Sequence, residues 1–522
     1  MSTTYERPTI TRLVSGLMNK FGTRPAADRQ VRSHIDGVSI AALTEEHGSP
    51  LFVFSERQLV RSIRRVRQAF TQRYADTVLG WSYKTNYIGA ICALMHREGS
   101  IAEVVSQMEY EKARSLGVPG HHIIFNGPLK PLPILRRALA EGALVNVDHG
   151  DEIDDLLVIA QERGHELAVG LRLNLDSGIQ PQWSRFGFNL ESGQALAAIE
   201  RMARSGRLRL RALHCHIGTF ILDPSAYGRQ VEKMLAFAEV IRERFGFVID
   251  TLDLGGGLPS RNRLKGTYLS PDVAVPPLEE YADAIGDALA THLRPGHRPR
   301  VVLEPGRVLV DESGLLITSV VASKRLPDGT QTYVIDAGVN LLYTATWYSF
   351  NIELDRPLPG TREPAVLCGP LCMNIDVVRD AVHLPPLPRG TKLIIGPVGA
   401  YNVTQWMQFI AYRPAIVLIT EAGKVELIRE AEDLSDLTRR ERMPAHLAGV
   451  VAEAMPATLP TSAPAPRVAA GRSAVTEIIE KTPSSAQPLV TGQPNSGGQR
   501  NSGGQRNGGG TRTSGDQRKD EA

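Results

Sequence analysis

Eight short apolar runs, each followed by a stretch of helical periodicity, constrain this chain more than any other feature. They are TVLGWSYK (Thr77–Lys84), SIAEVVS (Ser100–Ser106), IIFNG (Ile123–Gly127), LVNV (Leu144–Val147), LAVGLRLN (Leu167–Asn174), LRLRALHCHIG (Leu208–Gly218), VIDTLDLGG (Val248–Gly256) and RVVLEPG (Arg300–Gly306). Runs this continuous belong to strands buried on both faces, as in parallel sheets covered by helices. Amphipathic patterns over Asp223–Arg244 and Leu278–Leu293 supply two such helices. Eight repeats predict an α/β fold, either a (β/α)8 TIM barrel or a doubly wound open sheet, and periodicity alone does not separate the two. After Val308 the pattern turns to strand-like segments joined by Pro and Gly, such as LLITSVVASKRL, AVLCGP and TKLIIGPVGAY. We therefore expect one such α/β domain over residues 76–308 and a β-rich domain over 309–432. The preceding segment, 36–75, holds PLFVFS (Pro50–Ser55), which reads as a strand joining the β-rich domain.

The ends have a different character. From about Pro456 the chain becomes Ala, Pro, Ser and Thr, then an imperfect repeat, NSGGQRNSGGQRNGGG (Asn495–Gly510). Such a tail has little apolar surface to offset its ordering entropy, so disorder is expected over 456–522. Residues 1–35 are expected to be a loosely attached extension. The opening MSTTYERPTITRLV lacks a signal-peptide pattern, and no apolar run approaches the roughly 18 residues of a membrane span. A cytoplasmic protein with no membrane partner is expected. Lys and Arg number 59 against 56 Asp and Glu, without the basic excess of a nucleic-acid protein. Arg61, Arg64, Arg65 and Arg67 read as the wet face of a helix. The four cysteines (Cys92, Cys215, Cys368, Cys372) have neither zinc-site nor disulfide spacing, and no metal is expected.

The polar residues that invite chemistry fall at the C-terminal ends of the apolar runs, where a barrel carries its active face. Lys84 closes the first run, His214 and His216 the sixth; Gly255, Gly256 and Gly257 follow the seventh, and Glu304 and Arg307 the eighth. Each has an ordinary reading as well. Lys84 could be a paired structural lysine, Glu304 and Arg307 an ion pair, and Cys372 an inert thiol. Three glycines could be a turn, although bare amides between a parallel strand and a helix suit a phosphate. Of His214 and His216, only one is expected to face the barrel mouth.

In order along residues 38–430 stand WSYKTN around Lys84, EVVSQME from Glu103, HCHIG ending at Gly218, and LDLGGGLP from Leu252. EPGR from Glu304, DAGVN from Asp336, CGPLC ending at Cys372 and GAYN around Tyr401 complete the series. With these motifs the chain resembles the alanine-racemase-like class of pyridoxal-phosphate (PLP) enzymes, and within it the diaminopimelate and ornithine decarboxylases. The resemblance implies the barrel rather than the open sheet. It implies that Lys84 carries the cofactor as an imine, with an amine pKa lowered for that purpose. By the same resemblance His216 stacks on the cofactor ring, Gly255–Gly257 with Tyr401 and Arg307 hold the phosphate, and Glu304 partners the pyridine nitrogen. Related racemases set an arginine against that nitrogen, so Glu304 favours decarboxylation. Cys372 matches the acid that reprotonates Cα, contributed by the other subunit of a head-to-tail homodimer with shared active sites. Arg307, Tyr348 and Asp376 match substrate-side positions.

Two departures concern the substrate. Diaminopimelate decarboxylases usually carry a glutamate, and ornithine decarboxylases an aspartate, at the position of Met373. An arginine for the distal carboxylate is usual where Thr344 stands. The expected substrate is therefore an amino acid with a less charged, larger or tethered distal end, with Trp347 and Trp406 as candidate lining. The alternatives are a racemase or a catalytically silent regulatory homologue; the retained Lys84 and Cys372 weigh against the second.

Overall fold

The computed structural model describes residues 31–267 and 269–448. Most of the expected extension and all of the expected disordered tail lie outside the described residues. Contacts divide the chain at Glu441, and the unit that ends there holds both large sheets.

Eight parallel strands form the ring of the first sheet, to which the two-residue strand Phe188–Asn189 adds at one strand end: β1 (Thr77–Ser82), β2 (Ile101–Val104), β3 (Ile123–Phe125), β4 (Leu144–Val147), β5 (Leu167–Asn174), β6 (Leu208–Cys215), β7 (Thr251–Asp253) and β8 (Arg300–Leu303). Each pairs with its sequence neighbour, β8 pairs with β1, and β5 with β6, so the sheet closes on itself. The open-sheet alternative is thereby excluded. Closure explains the composition of the runs: one face of every strand fills the barrel and the other packs under helices, leaving no face for water. In β5, for instance, Val169, Leu171 and Leu173 are all buried.

The helix Glu56–Thr71 covers the β8–β1 side. Ser55 caps it, its hydroxyl accepting from the Gln58 amide at 3.0 Å. Leu59, Val60, Ile63, Val66 and Phe70 are buried along one stripe, while Arg61, Arg64 and Arg65 are exposed. Arg64 meets Glu98 at 2.8 Å, so the arginine cluster is a solvated helix face.

The second sheet contains β9 (Gly314–Arg325), β10 (Gln331–Ile335), β11 (Asn351–Leu354), β12 (Glu363–Cys368), β13 (Val377–Leu384), β14 (Lys392–Gly396), β15 (Ile416–Ile419) and β16 (Val425–Arg429). The strand Leu51–Ser55 enters between β9, antiparallel, and β15, parallel. Its LFVFS run is buried throughout because it separates two cores. Phe52 and Phe54 face the main one, and Leu51 and Val53 face a second with Ile35, Ile317 and Ile394. Burying each of these side chains contributes about 1.5–3 kcal/mol. This strand fastens the β-rich sheet to the segment that leads into β1, placing the loop after β14 beside the barrel. Tyr401, in this loop, donates its amide to Thr85 carbonyl at 2.9 Å.

Candidate active site

Lys84 lies in a one-turn helix, Tyr83–Thr85, immediately after β1. Its Nζ donates to Glu103 Oε2 at 2.9 Å and Oε1 at 3.0 Å. Parallel register puts Glu103 of β2 beside Ser82, whose hydroxyl also donates to it at 2.6 Å. Burial alone would lower the Lys84 pKa, but the carboxylates of Glu103 and Glu304 outweigh it and hold the ammonium above its ordinary range. The expected lowering is thus not a property of the protein groups by themselves, because the strand ends that surround the amine carry carboxylates.

Glu304 follows β8 and is buried. Asn126, one residue past β3, donates its amide to Glu304 Oε1 and, at 3.1 Å, to Glu103 Oε1. Its own oxygen accepts from Asn146 of β4 at 2.8 Å. Gly170, opposite Asn146 in β5, leaves room for that side chain; a Cβ there would sit 1.9 Å from Asn146 Oδ1. His214 Nε2 stands 3.4 Å from Glu304 Oε2. Although burial opposes ionisation, His214 and Lys84 hold Glu304 well below the usual carboxylate range.

Both histidines reach the site, against the expectation that only one would, because residues two apart on a strand share a face. β6 ends at Cys215, so His214 is the last inward residue of the pleat, and the backbone has left the strand at His216. His216 Nδ1 accepts from the Gly256 amide at 3.0 Å, which leaves the ring proton on Nε2. Burial, then Lys84 and Arg172, push its pKa down to about 3, so the ring is neutral. Trp183 stands edge-on to it at 5.1 Å.

Gly255 and Gly257 have φ of +67° and +104°. The three glycines are tightly enclosed: a Cβ at Gly255 would lie 2.8 Å from His216 Cβ, and at Gly256 2.5 Å from the Glu304 carbonyl. Backbone here can approach a ligand as no side-chain-bearing segment could. Beside it Arg307 is buried, donating to Tyr348 Oη and, at 3.3 Å, to Thr219 Oγ1. Its guanidinium lies over the Tyr401 ring at 4.8 Å. Tyr401 itself has φ of +65°, a left-handed conformation costly for a side chain and frequent at functional loops.

Not every candidate joins this group. Cys372 and Met373 lie in the loop between β12 and β13; Cys372 is exposed and Met373 half-buried. Asp376 is buried and accepts from the amides of Val339 at 2.7 Å and Leu371 at 2.8 Å, one on each oxygen. These contacts organise the loop. Thr344 is buried, with its hydroxyl donating to Asn402 at 2.9 Å. Trp406 packs on Phe52 at 5.6 Å and under Arg429 at 4.8 Å, as core. Trp347 stays near the site, edge-on to Tyr348. Sequence reasoning did not single out Asn126, Asn146 or Asp253 as site residues, and quoted Glu103 without a role. The available signal was a polar residue on the inward face at the end of an apolar strand.

A cavity of about 370 Å³ opens at the opposite, N-terminal end of the barrel, among Arg163, Arg211 and Arg300. Two of these arginines are already paired, with Asp250 at 3.2 Å and Asp76 at 3.0 Å. The chemistry lies at the other end.

A barrel with a lysine after its first strand, a glycine cradle after its seventh and a buried carboxylate after its eighth defines a phosphate-cofactor enzyme class. Residues 57–311 match the family of the pyridoxal-dependent decarboxylases, pyridoxal binding domain. The chain is 30% identical over 437 residues to the diaminopimelate decarboxylase of Methanocaldococcus jannaschii, covering 80% of this chain and 96% of that one. It is 29% identical to the Bacillus subtilis diaminopimelate decarboxylase, covering 78% and 94%. The crystal structure of the M. jannaschii enzyme with L-lysine superposes with a TM-score of 0.72, covering 79% and 96%. This chain belongs to the pyridoxal-dependent decarboxylase family: it is an amino-acid carboxy-lyase with pyridoxal phosphate as cofactor. Among the described residues no helix is long and apolar enough to cross a membrane.

The residues present fit that cofactor. Buried carboxylates outnumber lysines in the barrel mouth: Glu103 and Glu304 face Lys84. A cationic ring nitrogen would redress that balance, and the glycine cradle would admit a phosphate.

Proposed function

We propose that this protein decarboxylates an amino acid whose distal end carries less charge than that of diaminopimelate, with the cofactor attached at Lys84. When bound, pyridoxal phosphate supplies the electron sink that accepts the pair left behind as CO₂ departs. Glu304, kept ionised by His214 and Asn126, holds a proton on the ring nitrogen. The amides of Gly255–Gly257, with Arg307 and Tyr401, hold the phosphate. Neutral His216 covers one face of the ring and excludes water without adding charge. Glu103 pairs with Lys84 Nζ and keeps a counter-charge at the attachment point.

Cys372 holds the proton destined for Cα. Its exposure supports a role in the active site of a partner subunit, in a homodimer with shared sites. The relatives suggest diaminopimelate as the reference substrate, and one of them binds L-lysine. One observation carries the altered specificity: between Cys372 and Asp376 the loop offers no uncommitted charge. Met373 is neutral, and the Asp376 carboxylate is engaged by the amides of Val339 and Leu371. Thr344 hydrogen-bonds Asn402 instead of facing a carboxylate. A charged distal group without a partner loses several kcal/mol on burial, enough to change specificity by orders of magnitude.

The test is CO₂ release by PLP-loaded protein on meso-diaminopimelate, lysine, ornithine, arginine and carboxylated polyamines, with Lys84→Ala as control. We expect diaminopimelate to be at least about a hundredfold poorer than the best substrate. Preferred turnover of diaminopimelate refutes the altered specificity. Full activity in Lys84→Ala refutes the attachment point.

A further inference from the structure

The functions assigned above use Glu304 and leave Asp253 without a task. Parallel register sets His214 of β6 directly beside Asp253 of β7, and Asp253 beside Val302 of β8. Two residues beyond Val302, Glu304 returns to the same inward face. Ligand atoms of His214, Asp253 and Glu304 all lie within 4.8 Å of one another, and all three residues are buried. Two carboxyl groups this close in a dry interior disfavour each other's ionisation, which favours one proton held between them.

The donors decide which acid keeps it. Glu304 receives Asn126 on one oxygen and faces His214 with the other. Asp253 Oδ1 accepts only the Gly255 amide, at 3.0 Å, and its Oδ2 has no partner among the described residues. The other charges that bear on the pair act in the same sense. Burial, Glu304 and Glu103 push Asp253 well above its ordinary range, whereas Lys84 favours the ionised form of Glu304.

We propose that Asp253 is a neutral carboxylic acid that donates its proton to Glu304, fixing the negative charge on the carboxylate that meets the cofactor ring nitrogen. It is a positioning residue acting through Glu304, and the inference rests on the reading of Glu304 given above. An amide at position 253 donates in the same way, and an apolar side chain of similar size does not.

The experiment compares full-length wild type, Asp253→Asn and Asp253→Leu. The PLP dissociation constant is measured by absorbance titration across pH, and thermal unfolding of each cofactor-free protein is recorded. We expect Asp253→Asn to bind within about twofold of wild type, and Asp253→Leu about tenfold or more weaker. In the Leu variant Glu304 loses a donor and protonates more readily, so binding is lost first at the acid end. If Asp253→Leu binds like wild type, the proposal is overturned. It is also overturned if Asp253→Asn binds as poorly as Asp253→Leu. Should the Leu variant not fold, the Asn variant decides: wild-type binding supports the proposal and impaired binding overturns it. Failure of wild type to bind PLP refutes the underlying cofactor reading instead, before any variant is compared.

Discussion

Asn126→Ala removes the single amide that serves both buried carboxylates of the site. Its N–H₂ group reaches Glu304 Oε1 and Glu103 Oε1, and both residues are buried. A hydrogen bond to a charged group contributes about 1.5–3 kcal/mol. Glu103 keeps Ser82 and Lys84, and Glu304 keeps His214, so the lower end of that range applies twice. The expected loss is about 3 kcal/mol of folding stability in the cofactor-free protein. Urea unfolding followed by circular dichroism measures it, at one protein concentration because association would shift the apparent stability. Asn146→Ala, which removes one amide–amide bond at 2.8 Å, is the internal control at about 1 kcal/mol. Asn126→Asp tests the sign. The new carboxyl lies between two carboxylates and must stay protonated, so its penalty grows as pH rises past the ordinary carboxylate range. A loss below about 1 kcal/mol in Asn126→Ala refutes the reasoning, because water or a neighbour would then be replacing the donor.

Two further outcomes are expected. His216, held at about 3 against an ordinary 6.5, binds its proton later in the folded than in the unfolded chain as pH falls. Its contribution to stability is therefore complete above about pH 6.5 and is lost on acidification toward pH 3. NMR of the cofactor-free protein should show the His216 imidazole neutral between about pH 5 and 8, and titration near its ordinary value sinks the assignment. Lys130 and Glu152 form a buried ion pair at 2.8 Å. Lys130→Met should cost about 3–5 kcal/mol, and adding Glu152→Gln should recover part of it. A double variant no more stable than the single one in urea would show that lost packing, not stranded charge, is responsible.

Local chemistry made much of this molecule legible in advance. Eight apolar runs announced eight strands because strands covered on both faces leave no polar periodicity. Lys84, Gly255–Gly257, Glu304 and Arg307 were visible because polar residues at the ends of such strands have few structural reasons to be there. The Arg61–Arg67 face could be read from helical spacing alone. The motif order from WSYKTN to GAYN connected those positions to a family.

What only the tertiary structure decided concerns neighbours far apart in sequence. Parallel strand pairing set Ser82 beside Glu103 and His214 beside Asp253, contacts that depend on register. The expectation that one of the two histidines faces away from the site fails because residues two apart on a strand share a face. The direction of the Lys84 shift required knowing that Glu103 and Glu304 converge on it, which no window around Lys84 contains. Asp376 stands in the motif at a substrate-side position, and only the fold shows that its two oxygens accept from the backbone amides of Val339 and Leu371. A sequence records which groups are present and their local period. Which charges share a dry pocket, and so which of them keep their protons, follows only from the distances that the closed barrel imposes.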